Sequence, residues 1–283
     1  MDKTIAIVFD FDDTLANDST SNYLRLHGVS PSTFWKQEVQ KLVDRNWDFA
    51  LAWIYVIMNH RKFNPNLLTL ESLKSFSKKV KFFPGVKEIF GHIRSYVASI
   101  RADNKINVEF YIISSGIGTI IENCAISNEF TDIWSTNLLF DAEGNPIFIK
   151  NIVSFTEKTK FLFQIHKGIV GNRFKNQPFA VNEYIPNKNR KIPFENIIFI
   201  GDGYTDIPCF SVVKKFGGKS ICVYGGEEEI GENKAAILIK EGRVTRSVLA
   251  DYRPNSPLHE LLLDSIHQIA TSQTMVKAMI NDD

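Results

Sequence analysis

Residues 5–15 read IAIVFDFDDTL: an apolar run, Ile5–Phe9, passes directly into three carboxylates, Asp10, Asp12 and Asp13, within four positions. A continuous apolar run, without polar alternation, suits a parallel strand covered on both faces. Three further runs share the plan. Val108–Ile113 ends in SSGIG, Ile197–Ile200 in GDGYTD and Ser220–Tyr224 in GGEEE. Ala235–Ile239 (AAILI) is a fifth predicted strand. The pattern predicts an α/β fold around a parallel sheet, and such sheets bind ligands at the carboxyl ends of their strands. The polar residues that can do chemistry therefore gather where this fold places its site.

Between the first two strands lies a long insertion with helical periodicity. Ser30-Pro31 reads as a helix start. Trp35, Val39, Leu42 and Val43 then mark one apolar face, and Leu51, Ile54, Tyr55 and Met58 another. Pro84-Gly85 punctuates the return, and Val86–Val97 continues as a helix. Residues 17–83 are expected to form a separate helical unit, with 1–16 and 84–283 as the core. Trp134–Phe140 and Ile147–Ile149, joined by DAEGN, predict a hairpin. Lys167–Lys191 holds six basic residues and one acid, Glu183, and reads as a long surface loop. A nucleic-acid or protein contact is the alternative use of its charge. Leu258–Ala278 reads as an amphipathic C-terminal helix. Phe34, Trp35, Trp47, Trp53 and Tyr55 are expected in the core of the insertion; one or two facing the site and stacking on a substrate is the alternative.

Composition narrows the function. Of 283 residues, 44% are apolar and 23% charged, which excludes wholesale disorder. The formal charge of +1 gives no electrostatic case for nucleic acid or an anionic membrane. Cys124, Cys209 and Cys222 are too few and too scattered for a disulfide framework or a zinc site. The longest apolar run, Phe49–Met58, falls short of the ~18 residues a bilayer span needs. A cytoplasmic, soluble protein is the expectation.

The carboxylates carry the chemistry. Asp10, Asp12 and Asp13 repel one another at short range, and a divalent cation removes that cost. A solvated turn is the plain alternative. An EF-hand loop fails, because Leu15 stands where glycine is needed. In Gly201-Asp202-Gly203-Tyr204-Thr205-Asp206, Asp202 and Asp206 lie one turn apart if a helix starts near Gly203. Hard oxygen ligands of this kind select Mg2+; Asp206 as a simple helix cap is the other reading. Ser114-Ser115-Gly116 ends a strand and opens a helix, either to bind phosphate or as an ordinary serine cap. Lys158 opens a later amphipathic helix.

Taken together, DFDDTL, the Ser114 segment, Lys158 and GDGYTD in this order resemble the haloacid dehalogenase superfamily, nearest its phosphoserine-phosphatase-like branch. The resemblance spans about 1–16 and 84–225. It implies a Rossmann-like core, a parallel sheet flanked by helices, with an all-helical type C1 cap inserted after the first strand. It further implies a Mg2+-dependent phosphatase acting on a small phosphorylated metabolite. Asp10 would be the nucleophile and Asp12 the general acid and base. Asp10, Asp12 (through its carbonyl), Asp202 and Asp206 would hold Mg2+, and Ser114, Ser115, Gly116 and Lys158 the phosphoryl group. Lys158 fits the pattern better than Lys160. Phosphoserine phosphatases carry a substrate-binding glutamate where this chain has Ser19, which argues against phosphoserine. A phosphotransferase or phosphomutase, and a non-catalytic binding protein of the same fold, are the alternatives.

Overall fold

The first apolar run forms β1 (Lys3–Phe9), in which Ile5 to Phe9 have no exposed surface. Their burial follows from position: β1 lies at the centre of a seven-stranded sheet. The other strands are β2 (Ile106–Ile117), β3 (Asp132–Phe140), β4 (Pro146–Asn151), β5 (Ile197–Gly201), β6 (Lys219–Tyr224) and β7 (Arg246–Leu249). Their order is β4-β3-β2-β1-β5-β6-β7, parallel throughout except for the β3–β4 hairpin. The computed structural model describes residues 3–100, 105–174, 176–225 and 229–272. This is the expected α/β class.

After β1 come α1 (Ser19–Leu26), a π-helical stretch Thr33–Val39 continued by α2 (Gln40–Val43), α3 (Phe49–His60) and α4 (Leu70–Ser77). Then follow α5 (Val86–Ser99), α6 (Gly118–Glu122), α7 (Phe155–Lys167), α8 (Ile207–Lys215), α9 (Glu229–Lys240) and α10 (Pro257–Thr271). Successive residues of β1 serve opposite faces, as strand geometry requires. Ile5, Ile7 and Phe9 pack with α5 and α10, through Ile89, Phe90, Leu262 and Ile266. Ala6 and Val8 join Leu162 and Ile165 of α7 and Phe210 of α8. A third cluster belongs to the inserted helices: Tyr23, Leu24, Phe34, Trp53, Ile54 and Leu73 enclose it with Ile117 and Ile120. Ile117 ends β2, so the helical layer rests on the carboxyl edge of the sheet. Asp18, Asp48 and Thr69 cap α1, α3 and α4 by accepting from the amides of Ser21, Leu51 and Ser72.

Four expectations change. Ala235–Ile239 is not a strand; it lies in α9, with Ala235 and Leu238 buried and Ile237 and Ile239 exposed. Its apolar run is too short for length to separate the two periods. The last strand is instead the polar β7. Second, α3 buries Ala50, Trp53, Ile54 and Ile57 and leaves Leu51 and Tyr55 exposed. The helix is apolar on both faces, so two stripes satisfy the same spacing. Trp47 is exposed with Tyr55, so neither is core, whereas Phe34 and Trp53 are buried. Third, Ser114, Ser115 and Gly116 belong to β2 itself, where its register with β3 breaks between Ile113 and Ile117; α6 begins only at Gly118. Fourth, the C-terminal helix ends at Thr271, and residues 273–278 lie outside the described residues. The 167–191 segment contains three short 3-10 turns and otherwise little regular structure. Several of its cations hold the loop itself: Lys167 donates to the carbonyls of Val181 and Glu183, Arg190 to that of Ile185, and Lys191 pairs with Glu109. Lys175 is outside the described residues. No helix among the described residues is long and apolar enough to cross a membrane.

Candidate active site

Asp10 follows directly on β1, and Asp202 on β5. The Asp10 amide donates to the Ile200 carbonyl at 2.9 Å, which sets the two strand ends level. Asp206 closes a 3-10 turn, Tyr204–Asp206, ahead of α8. Carboxylate oxygens of Asp10, Asp202 and Asp206 then all lie within 4.8 Å of one another. Lys158 projects from the first turns of α7 into this group. Its Nζ donates to Asp10 Oδ2 at 2.7 Å and to Asp206 Oδ1 at 2.8 Å, with the lysine side chain wholly buried. Lys160 pairs instead with Glu157 at the helix surface. Asp206 also accepts from the amides of Asp202 at 3.1 Å and Gly203 at 3.4 Å. These amides lie ahead of α8, whose own N-terminus takes no side-chain cap from Asp206.

The electrostatics are unbalanced. Burial alone would lower the Lys158 pKa; Asp10 and Asp206 more than reverse this and raise it. Asp206 nevertheless stands at about 7, because burial and the charges of Asp10 and Asp202 outweigh the help of Lys158. Asp202 is raised too, chiefly by burial, although Lys234 Nζ lies 2.8 Å from its Oδ2. The lysine gains from the pairing, and Asp202 and Asp206 still lose through burial. Three hard oxygen donors with surplus negative charge fit a small divalent cation of the Mg2+ kind.

Asp12 lies on the other side of Asp10. Its Oδ1 accepts from the Ser19 amide at 2.7 Å, at the start of α1. Burial, and then the charge of Asp18, push its carboxyl well up from the usual range. Asp12 Oδ2 also lies against Gly116: a Cβ there would stand 2.6 Å from that oxygen and 3.3 Å from Ser114 Oγ. Ser114 is buried, and its Oγ accepts from the Gly116 amide at 3.1 Å. Asp12, Ser114 and Gly116 thus share one edge. Ser115 Oγ is buried without a hydrogen-bond partner among the described residues. Buried polar groups normally have partners, so this hydroxyl, between Ser114 and Gly116, is free to meet a polar ligand.

Two residues here escape sequence reading. Lys234 of α9 reaches Asp202, and its ammonium also lies 5.8 Å from the Tyr204 ring centroid. It is hidden by the strand reading of Ala235–Ile239; a helical reading puts Lys234 on one face with Leu238. Asp18, which caps α1 beside Asp12, looks like an ordinary cap from sequence.

No protein-family profile matches the chain. An uncharacterized protein of Borreliella burgdorferi is 27% identical over 294 residues, covering 94% of this chain and 97% of that one. Among solved structures, a phosphoserine phosphatase in its apo form superposes with a TM-score of 0.57 at 17% identity, covering 92% of this chain and 98% of that one. This is the haloacid dehalogenase fold, in its phosphoserine-phosphatase-like form. A substrate-bound phosphoserine phosphatase gives 0.54 at 16% identity, over 92% and 97% of the two chains. The HAD family hydrolase t0658 from Salmonella enterica serovar Typhi gives 0.57 at 16%, over 86% of this chain and 66% of that one.

Proposed function

We propose that this chain is a Mg2+-dependent phosphatase that hydrolyses a small phosphomonoester through an aspartyl-phosphate on Asp10. The observation that carries the reading is the cluster of Asp10, Asp202 and Asp206 around Lys158 at the carboxyl ends of β1 and β5. Asp10, Asp202, Asp206 and the Asp12 carbonyl would hold Mg2+, which when bound offsets the repulsion between carboxylate and phosphate. Lys158 donates to Asp10 Oδ2 and would hold the nucleophile in place. A carboxylate oxygen of Asp10 forms a bond to phosphorus as the bond from phosphorus to the leaving oxygen breaks. Asp12 gives its proton to that oxygen; burial and Asp18 favour the protonated form it needs. Water then attacks phosphorus, its proton passes to Asp12, and Asp10 is released as a carboxylate with inorganic phosphate. Ser114, Ser115, the Gly116 amide and Lys158 would hold phosphoryl oxygens, and the unpartnered Ser115 hydroxyl supports that role.

Helices α1 to α4 act as the lid. A lid closing over the sheet edge favours a small metabolite over a folded protein. The test is phosphate release from a panel of small phosphomonoesters, with and without Mg2+, for wild type and Asp10→Asn. Turnover requiring both the metal and Asp10 is expected. Turnover retained by Asp10→Asn, or none from wild type on any ester, would overturn the reading.

A further inference from the structure

Three aromatic rings cross from one flank of the site to the other. At one end, Trp35 Nε1 donates to Ser21 Oγ at 2.9 Å. Ser21 lies in the first turn of α1, two residues beyond the Ser19 amide that holds Asp12. Trp35 stacks on Phe49, the first residue of α3, with centroids 6.0 Å apart and planes 16° apart. Phe49 meets Phe155, the first residue of α7, at 6.0 Å and 36°. Phe155 precedes Lys158 by three positions and so shares its helix face, one turn further out from the sheet edge. The row therefore begins beside the proposed acid and ends above the lysine that holds the nucleophile. Phe49 and Phe155 remain 37% and 39% exposed, so ring surface is left open along the row.

The leaving group occupies the Asp12 side, because its oxygen takes the proton of Asp12. Some charged groups nearby are engaged within the chain. Asp18 uses its carboxylate on the Ser21 amide and hydroxyl. Arg61 is held by the carbonyls of Pro65, Leu67 and Pro146. What the row offers is π-faces, which favour a stacked or edge-on ring.

We propose that the substrate is the phosphate monoester of an alcohol carrying an aromatic ring, which packs on Phe49 and Phe155 while Asp12 protonates the alkoxide. This rests on the phosphatase reading. The test compares 2-phenylethyl, 2-cyclohexylethyl and propyl phosphate with Mg2+. All three release primary alcohols, so intrinsic reactivity is nearly constant. Wild-type kcat/KM is expected to be about tenfold higher for the phenylethyl ester than for propyl, and about threefold higher than for cyclohexylethyl. In Phe49→Leu and Phe155→Leu the phenylethyl-to-cyclohexylethyl ratio should fall toward one, mainly through KM. Equal wild-type kcat/KM for the ring esters would overturn the aromatic assignment and leave the phosphatase reading standing; the wild-type comparison does not depend on how the variants fold. No phosphate release from any ester would remove both.

Discussion

Replacing Lys158 with methionine tests the charge balance of the site directly. The ammonium is wholly buried, 2.7 Å from Asp10 and 2.8 Å from Asp206, and both acids are themselves buried. Methionine keeps most of the stem volume and removes the cation, so the loss is electrostatic rather than a cavity. Breaking a buried ion pair by removing one partner costs about 3–5 kcal/mol. An unfolding entropy of about 2.1 cal/mol/K per residue gives about 0.6 kcal/mol/K for 283 residues. Lys158→Met should therefore lower the melting temperature by about 5–8 °C. Protonation limits the penalty. Asp206 already stands at about 7 with the lysine present, and its removal pushes that value higher, so in mild acid Asp206 sheds its charge. The deficit should be smaller at pH 6 than at pH 8. Thermal melts followed by circular dichroism, in chelator at both pH values, measure it. Adding Asp206→Asn to Lys158→Met should restore most of the lost stability at pH 8, since one of the stranded charges is gone. A shift under about 2 °C at pH 8, or an equal shift at both pH values, would refute the argument that Lys158 neutralises buried acids.

In the metal-free wild type, the raised Asp206 pKa means that the folded chain keeps a proton the unfolded chain has released; this contribution is full below about 3.8 and is lost as pH rises through about 7. Melting temperature in chelator should thus fall between about pH 4 and pH 7, and millimolar Mg2+ should raise it at pH 7–8 by binding only the folded form; no response to Mg2+ would count against the metal site. Lys234→Met should tighten Mg2+ activation several-fold, since it removes a cation competing for Asp202 at 2.8 Å, and titration of activity against free Mg2+ reads this; weaker activation would show that Lys234 instead helps to shape the site. Gly116→Ala would place a Cβ 2.6 Å from Asp12 Oδ2. It should lower kcat about 100-fold by displacing the acid, and near wild-type kcat would show that Asp12 can move without cost.

Much of this arrangement is legible because charge is conspicuous where a buried strand ends. Ile5–Phe9 and Ile197–Ile200 have to be covered on both faces, so Asp10 and Asp202 emerge at one sheet edge whatever the rest of the chain does. Lys158 is legible only in combination, because a lysine opening a helix is ordinary until three acids need it. Short apolar runs are where the reading fails. Ala235–Ile239 fits a strand and a helix equally by composition, and only its neighbours decide. Leu51 and Tyr55 share a spacing with Ile54 and Met58, but Ala50, Trp53 and Ile57 offer a rival face, and contact with Phe34 and Leu73 selects it. The break in β2 at Ser114–Gly116 is equally hidden, since it arises from how β3 pairs rather than from the serines themselves.

The site divides by charge as well as by place. Around Asp10 lie the acids and Lys158, an arrangement suited to a dianionic phosphoryl group only once further positive charge arrives. Around Asp12 lie the Ser19 amide and, beyond α1, the ring of Trp35. A phosphate ester has the same polarity: one end needs charge, and the other is defined by whatever alcohol leaves. In the proposed reaction Asp12 would sit at the junction, where a proton must be held before bond breaking and returned after it. The Ser19 amide holds that carboxyl, and the absence of a side chain at Gly116 leaves room for it. The amide contact comes from the inserted helices, so as the proposed lid they would do more than cover the site. Their movement would release a hydrogen bond that favours the ionised form of Asp12, and so couple lid position to the acid's readiness to give up its proton.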